Sequence, residues 1–256
     1  MSGIIPIFKR ESSAYFTAPL GWVIILPFLF IFNLFFAVSV NAFLQYSSQA
    51  AFNPAAAEGL NVNTFVVQGV FGNMAVVLLL LAAGIAMRLL TEDRRQKSFE
   101  LLLTSPISSF EIVAGKFLGA MGFVVAMLAG TLPMVLILYA YGEPDTGVVL
   151  CNYLALLSYS AVLIASDMFL SSFTESQVIA LIVGFAFNLV FWILGWVGEM
   201  APEGVLGTVI QTIAMGTHFQ EIGKGLIKAQ DVVYFISFIG FCLLATVQRV
   251  ETLRWR

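Results

Sequence analysis

Charged residues are scarce in this chain. Only 11% of its 256 residues are Asp, Glu, Lys or Arg, whereas a typical soluble domain has about a quarter. Six long stretches contain no charged residue and no histidine: Trp22–Val40, Phe65–Met87, Phe117–Tyr141, Val148–Ser166, Val178–Val197 and Val232–Gln248. A helix needs roughly 20 apolar residues to cross a hydrocarbon core, and a backbone in lipid must satisfy its own hydrogen bonds. The sequence therefore predicts an all-α membrane protein with six transmembrane helices.

Motifs for catalysis and for metal binding are also missing. No G-x-x-x-x-G-K-[ST] occurs, so this chain does not cradle ATP by itself. His218 is the single histidine, which leaves no second imidazole for a relay or a zinc site, and we interpret it as a polar residue on an amphipathic helix. Cys151 and Cys242 lie in apolar stretches and are interpreted as small buried hydrophobes. We expect no enzyme activity, cofactor or metal in this chain.

The distribution of the basic residues predicts the orientation. Ten of the twelve lie in three regions, namely the N-terminus, the loop after the second apolar stretch and the C-terminus. Cytoplasmic segments retain Lys and Arg preferentially, and these three regions share one side only if the number of spans is even. We therefore expect six spans, both termini in the cytoplasm and a bacterial inner-membrane location. No polar stretch is long enough for a separate soluble domain, so residues 1–256 form one membrane domain.

Hydrophobic periodicity predicts the following elements. Transmembrane helices are expected over 20–43, 65–90, 112–141, 148–170, 178–197 and 231–248. Residues 4–18 have an apolar stripe at helical spacing, which predicts a helix lying in the inner interface; the alternative is a frayed basic start that only sets orientation. Residues 203–228 have the pattern of two short amphipathic helices, broken at Gly216, on the outer face or dipping into the outer leaflet.

The most charged part of the chain is the loop from Arg88 to Lys116. Ser98 is a candidate cap for a short helix over 97–105, which Pro106 ends. Ser108 or Ser109 with Glu111 is expected to start the next helix. The short helix has an apolar face of Phe99, Leu102 and Leu103. It is either a connector lying on its own bundle or a docking helix for a soluble partner.

Asp167 and Arg88 form a candidate ion pair. Both are expected near the inner ends of their spans, where a charge still needs solvent or a partner. A solvated Asp167 is the alternative.

The stretch 99–116 resembles the inner loop of ABC-2 type transporter permeases. Its matching residues are Phe99, Glu100, Leu103, Thr104, Pro106, Glu111, Gly115 and Lys116. The end of the chain resembles the same family through His218-Phe219, Gly223-Lys224-Gly225, Asp231, Tyr234 and Phe235. Within that group the chain is most similar to the gliding-motility and nitrous-oxide-reductase-accessory type, and the resemblance covers nearly the whole chain in layout.

The resemblance implies the ABC-2, or type V exporter, fold: six spans, an N-terminal interfacial helix, a cytoplasmic coupling helix and paired outer re-entrant helices. The coupling residues would be Phe99, Glu100, Leu101, Leu102, Leu103 and Thr104. The implied partners are cytoplasmic ATPases, which would hold ATP and Mg, and a second permease, identical or related. An outer accessory protein is a further candidate partner, lipid surrounds the spans, and no nucleic acid is expected.

The function expected from these features is a permease subunit that couples ATP hydrolysis by a separate subunit to export or to force transmission. Three rivals remain at this point. A secondary transporter usually places ionisable residues at mid-bilayer, and none lies deep in a predicted span here. A membrane-embedded enzyme would need a set of catalytic side chains that this sequence lacks. A non-transporting scaffold that anchors an outer-face complex shares every feature except energy coupling.

Overall fold

The structure, a computed structural model, describes residues 3–50, 61–95, 107–200 and 204–254, and all the regular elements within these ranges are helical. The α-helices are α1 (Ile4–Thr17), α2 (Pro19–Ala50), α3 (Gly69–Arg95), α4 (Ser109–Ala129), α5 (Leu132–Tyr141), α6 (Thr146–Ser171), α7 (Gln177–Met200), α8 (Val205–Ile213), α9 (Met215–Gly223) and α10 (Ala229–Arg254). A π-helical turn over Asn63–Gln68 leads directly into α3.

Six helical stretches in the described residues are long and apolar enough to cross a membrane. They are Gly21–Gln49, Asn63–Glu92, Ser109–Tyr141, Thr146–Ser171, Gln177–Gly198 and Ala229–Leu253. The prediction of an all-α membrane fold with six spanning helices is confirmed. The helices extend beyond the apolar stretches, since α2 reaches Ala50 and α10 reaches Arg254. Polar residues at helix ends carry no apolar signal, so the apolar stretches mark the spans and not the full lengths of the helices.

The third span is interrupted. Helix α4 ends at Ala129, and α5 begins at Leu132 with Pro133 in its first turn. Proline lacks an N–H group and does not continue a helical ladder. The Thr131 hydroxyl donates to Leu128 O at 2.7 Å and lies 2.7 Å from Tyr153 Oη, which satisfies polar groups at the break.

Helix α6 lies at the centre of the bundle, packed against α3, α7, α9 and α10. Its residues Tyr159, Val162, Leu163 and Ile164 are fully buried although they point in different directions around the helix. A helix that is apolar all round is buried on all sides. Helices α2, α7 and α10, in contrast, expose many large apolar side chains, as expected for helices with one side toward lipid.

The two ends of the bundle differ in what covers them. The Tyr15 end holds α1, the start of α2, the end of α3, the start of α4 and the end of α10. The His218 end holds the end of α2, the α5–α6 connection, the short helices α8 and α9, and the start of α10. The Asn63 side chain joins two connections at this end by accepting from the Asp145 backbone N–H at 2.8 Å.

Candidate functional site

The predicted coupling residues Phe99 to Thr104 lie outside the described residues, as does the whole predicted 97–105 helix. The flanks of that segment are described. Helix α3 runs to Arg95, and α4 begins with a capping box in which the Ser108 hydroxyl accepts from the Glu111 N–H at 3.2 Å. The Glu111 carboxylate accepts from the Ser108 N–H at 3.1 Å. The prediction that Ser108 and Glu111 start this helix is confirmed.

A buried ion pair fastens α1 to α4. The Lys116 ammonium donates to the Glu11 carboxylate at 2.9 Å, and the Lys116 side chain is only 2% exposed. Burial raises the pKa of Glu11, but the Lys116 ammonium and the Arg10 guanidinium, which both donate to its carboxylate, together hold the pKa below its usual value. Sequence periodicity does not report this contact, because a charged residue such as Glu11 adds nothing to an apolar stripe. The side that packs inward contains Ile7, Glu11 and Tyr15.

Two glycines of α4 allow α1 to approach closely. A Cβ at Gly115 would lie 2.8 Å from Ile7 Cβ and 3.2 Å from the Ile4 carbonyl oxygen. A Cβ at Gly119 would lie 2.6 Å from Glu11 Cβ. Small residues let helix backbones approach in this way. The Gly115-Lys116 pair therefore combines a contact surface with a charge partner for the same helix.

Tyr15 connects α1 to the core. Its hydroxyl donates to Ile85 O on α3 at 2.9 Å, and its ring stacks on Phe123 of α4 with centroids 4.7 Å apart. The Arg88 guanidinium lies 5.8 Å from the centroid of the same ring. Helix α1 thus contacts both helices that flank the 96–106 segment.

The candidate Asp167–Arg88 ion pair is not formed. Arg88 Nε donates to Glu92 at 2.9 Å, because the i,i+4 spacing on α3 brings that carboxylate to it. Asp167 is buried and accepts from Asn188 Nδ2 of α7 at 2.7 Å, so the alternative of a solvated Asp167 is also wrong. Gly184 makes room for this contact, since a Cβ there would lie 2.4 Å from Asp167 Oδ1.

His218 forms a buried pair with Asp231 at the other end of the bundle. His218 Nδ1 lies 2.6 Å from Asp231 Oδ1, and both side chains are at most 5% exposed. The imidazole stacks on Tyr234, with centroids 4.0 Å apart. The turn between α9 and α10 brings the two residues together through Gly225, whose φ of 86° favours glycine. The sequence predicted only a polar residue on an amphipathic helix at His218, because a separation of 13 residues from Asp231 is not a recognisable motif.

The hydrogen-bond partners of His218 locate a proton. Its Nε2 atom lies 3.0 Å from Thr212 O, and a carbonyl oxygen only accepts, so Nε2 carries a hydrogen. The short contact between Nδ1 and the Asp231 carboxyl then needs a hydrogen between those two atoms, whichever of them it is bound to. The pair therefore holds one proton inside the contact that joins α9 to α10.

The described ranges contain no group of three or more His, Cys, Asp or Glu side chains placed to hold a metal ion. Cys151 and Cys242 are buried free thiols. The polar contacts at the two ends join helices of the bundle.

Comparison with known protein families gives a match over most of the chain. The model of a family described as ABC-2 family transporter protein matches residues 5–247. No curated protein matches the chain.

Proposed function

This chain belongs to the ABC-2 family of transporter proteins, and we propose that it is the permease subunit of a transporter whose ATP is hydrolysed by a separate subunit. The observation that carries the proposal is the family match across nearly the whole chain, on a bundle with six candidate spans. We further propose a second permease copy or relative, and the gliding-motility or nitrous-oxide-reductase-accessory type within the family.

The Tyr15 end is proposed to face the cytoplasm of a bacterial inner membrane. Described basic residues at this end include Lys9, Arg10, Arg88, Lys116 and Arg249, whereas the other end has Lys224 and Lys228. The bias of Lys and Arg toward cytoplasmic segments supports this orientation. Both termini then lie on the cytoplasmic side.

The coupling step is proposed to pass through residues Phe99 to Thr104. Their chain neighbours α3 and α4 are both attached to α1, through Tyr15 and through the Glu11–Lys116 pair. A push on the 96–106 segment would therefore move three helices as a unit. An ATPase that contacts the segment differently before and after nucleotide binding would supply the free energy for that movement.

Co-purification with the partner ATPase tests this proposal. Glu100→Arg and Leu103→Asp are expected to abolish binding, or stimulation of ATP hydrolysis, while the six-helix bundle stays folded. Matched controls lie at the His218 end, where Glu143 and Leu226 are exposed. Glu143→Arg and Leu226→Asp make the same changes of charge and polarity there, and we expect them to leave binding and turnover unchanged. Unchanged association and turnover in both the Glu100 and Leu103 variants would contradict the coupling role.

A further inference from the structure

A recess of about 400 Å³ lies at the His218 end between α3, α6 and α9. Four carboxamide side chains line it: Gln68, Asn73, Asn152 and Gln220. One wall is formed by Gly69 and Gly72, where an added Cβ would meet nothing within 4 Å. Small-molecule sites occupy about 300–1,000 Å³ and combine a few polar groups with an otherwise apolar wall. The recess therefore has the size of a ligand site, with a lining more polar than is usual for one.

Two of the carboxamides have no partner in the described part of the protein. Asn152 donates to Gly223 O and Val148 O, and Asn73 donates to Gly69 O. The side chains of Gln68, which is half-buried, and Gln220, which is exposed, make no hydrogen bond with any described residue, although both line the recess. Each offers two N–H donors and one carbonyl acceptor to whatever enters.

A second recess has an apolar lining, so the polar lining is a feature of the first recess and not of every recess in the bundle. It measures about 260 Å³, lies between α4 and α6, and is lined almost entirely by apolar side chains such as Val125, Leu132 and Leu154. A hydrocarbon chain suits that surface. In the first recess the same chain would cover the Gln68 and Gln220 carboxamides without bonding them, and each polar group desolvated in this way costs about 1–3 kcal/mol.

The charged side chains beside the first recess do not favour binding of an anion. Lys224 lines it, but its ammonium donates to the Glu221 carboxylate at 2.6 Å, and Lys228 binds the same carboxylate. The hydrogen bonds from these two lysines lower the pKa of Glu221 to about 2, so it stays ionised at neutral pH. Both ammonium groups already have a counter-charge, and the remaining polar lining is uncharged.

We infer that this recess binds an uncharged, hydroxyl-rich headgroup, that is, a sugar, either free or attached to a lipid. Hydroxyl groups both donate and accept, as carboxamides do, whereas an anion would face amide oxygens without a free cation. The glycine wall lets a ring lie flat against the backbone of α3. Binding at this site does not require the ATPase. A negative result here would therefore leave the proposed coupling role untouched, and a negative result for coupling would leave this site untouched.

The experiment uses the full chain in phosphatidylcholine nanodiscs with a photoreactive monoglucosyl-diacylglycerol as the probe. Labelling should map to peptides containing 68–73 or 219–224. Gly72→Leu fills the recess and should lower labelling about tenfold, as expected when several hydrogen bonds are lost. Gly84→Leu is the matched control, since Gly84 lies on the same helix and an added Cβ there also meets nothing within 4 Å. It should label like the wild type.

Further arms identify the source of the headgroup and protect against misfolding. Competition by free maltose would indicate that the sugar alone is recognised, whereas labelling without competition would indicate a glycolipid. Should Gly72→Leu fail to fold, Gln68→Leu with Gln220→Leu removes the free carboxamides and should give the same loss. Equal labelling of the Gly72 and Gly84 variants would overturn the inference. Equal labelling of these peptides by a photoreactive phosphatidylcholine would overturn it as well.

Discussion

The two ends of the bundle attach short helices by opposite means. At the Tyr15 end, α1 is held against α4 by an ion pair and by glycines that bring the backbones close together. At the His218 end, α9 is held against α10 by the His218–Asp231 pair with its single proton, and a recess of about 400 Å³ remains beside it. The Tyr15 end, where the ATPase is proposed to act, is closely packed. The His218 end has open space beside polar side chains.

This difference indicates a division of labour. Close backbone contact transmits displacement, because packed interiors resist compression. A short helix pair fastened at few points opens at a lower free energy than a packed core does. We therefore expect changes at the Tyr15 end to affect the whole bundle, and changes at the His218 end to act locally. The following predictions test this comparison, beginning with the largest effect.

Lys116→Met should have the largest effect. It removes the buried cation of the pair and leaves Glu11 with only the exposed Arg10 guanidinium, 2.9 Å away. Removing one partner of a buried ion pair costs about 3–5 kcal/mol, and we expect the lower end of this range because Arg10 still pairs with Glu11. The free energy of unfolding in detergent measures the loss. Adding Glu11→Leu should recover most of it, because an apolar pair replaces the ion pair. A loss below about 1 kcal/mol for the single variant would contradict a tight attachment of α1.

His218→Ala should cost less, about 2–3 kcal/mol, through the unpaired Asp231 carboxyl. Hydrogen exchange should rise in α8 and α9 while exchange in α1 and α4 stays unchanged, since the fastening is local. A double-mutant cycle with Asp231→Ala isolates the energy of the pair. Faster exchange throughout the bundle would remove the distinction between the two ends.

Gly115→Ala should destabilise by about 1–2 kcal/mol. Alanine is better than glycine inside a helix by about 1 kcal/mol, but the new methyl would meet Ile7 Cβ at 2.8 Å and force α1 outward. Gly84→Ala is the control, because it gains the helical preference without a steric contact. The thermal unfolding midpoints of the two variants should shift in opposite directions.

The Glu11 contribution should depend on pH. Its pKa in the folded state is held below the ordinary value of 4.5, so the stabilisation is present above that pH and is lost as the pH falls through the folded-state pKa. The difference in unfolding free energy between the wild type and Glu11→Gln should narrow in this range, by at most about 1.4 kcal/mol per pH unit. A difference that stays constant down to pH 3 would contradict the ion pair.

Asp167→Asn should have the smallest effect, below about 1 kcal/mol. The new amide oxygen still accepts from Asn188, whose amide now donates to Asp167 Oδ1 at 2.7 Å. ATP hydrolysis by the complex should also be unchanged. A large loss of transport with normal stability would instead support a proton-coupled mechanism, since a buried carboxylate in a span is the usual site for one.

Apolar runs predicted the six spans and the all-α class, because a membrane helix needs length and low charge and nothing else. The helix start at Ser108 and Glu111 was also predicted from the sequence, since the two residues that cap it lie within one helical turn. Glu11, Lys116, His218 and Asp231 were present in the same sequence but were not recognised as two pairs. The ion pair joins residues 105 positions apart, and no periodic pattern reports a contact across that distance.

The sequence by itself determined that this chain is a helical membrane bundle, because the free energy of burying apolar residues in lipid depends on composition along each segment. Only the tertiary structure decided which polar residues meet. The exclusion of the Asp167–Arg88 pair, the attachment of α1 and the carboxamide-lined recess all depend on which sides of the helices face each other. The packing of the whole bundle around α6 sets which sides face each other, and no single segment of the sequence specifies that packing.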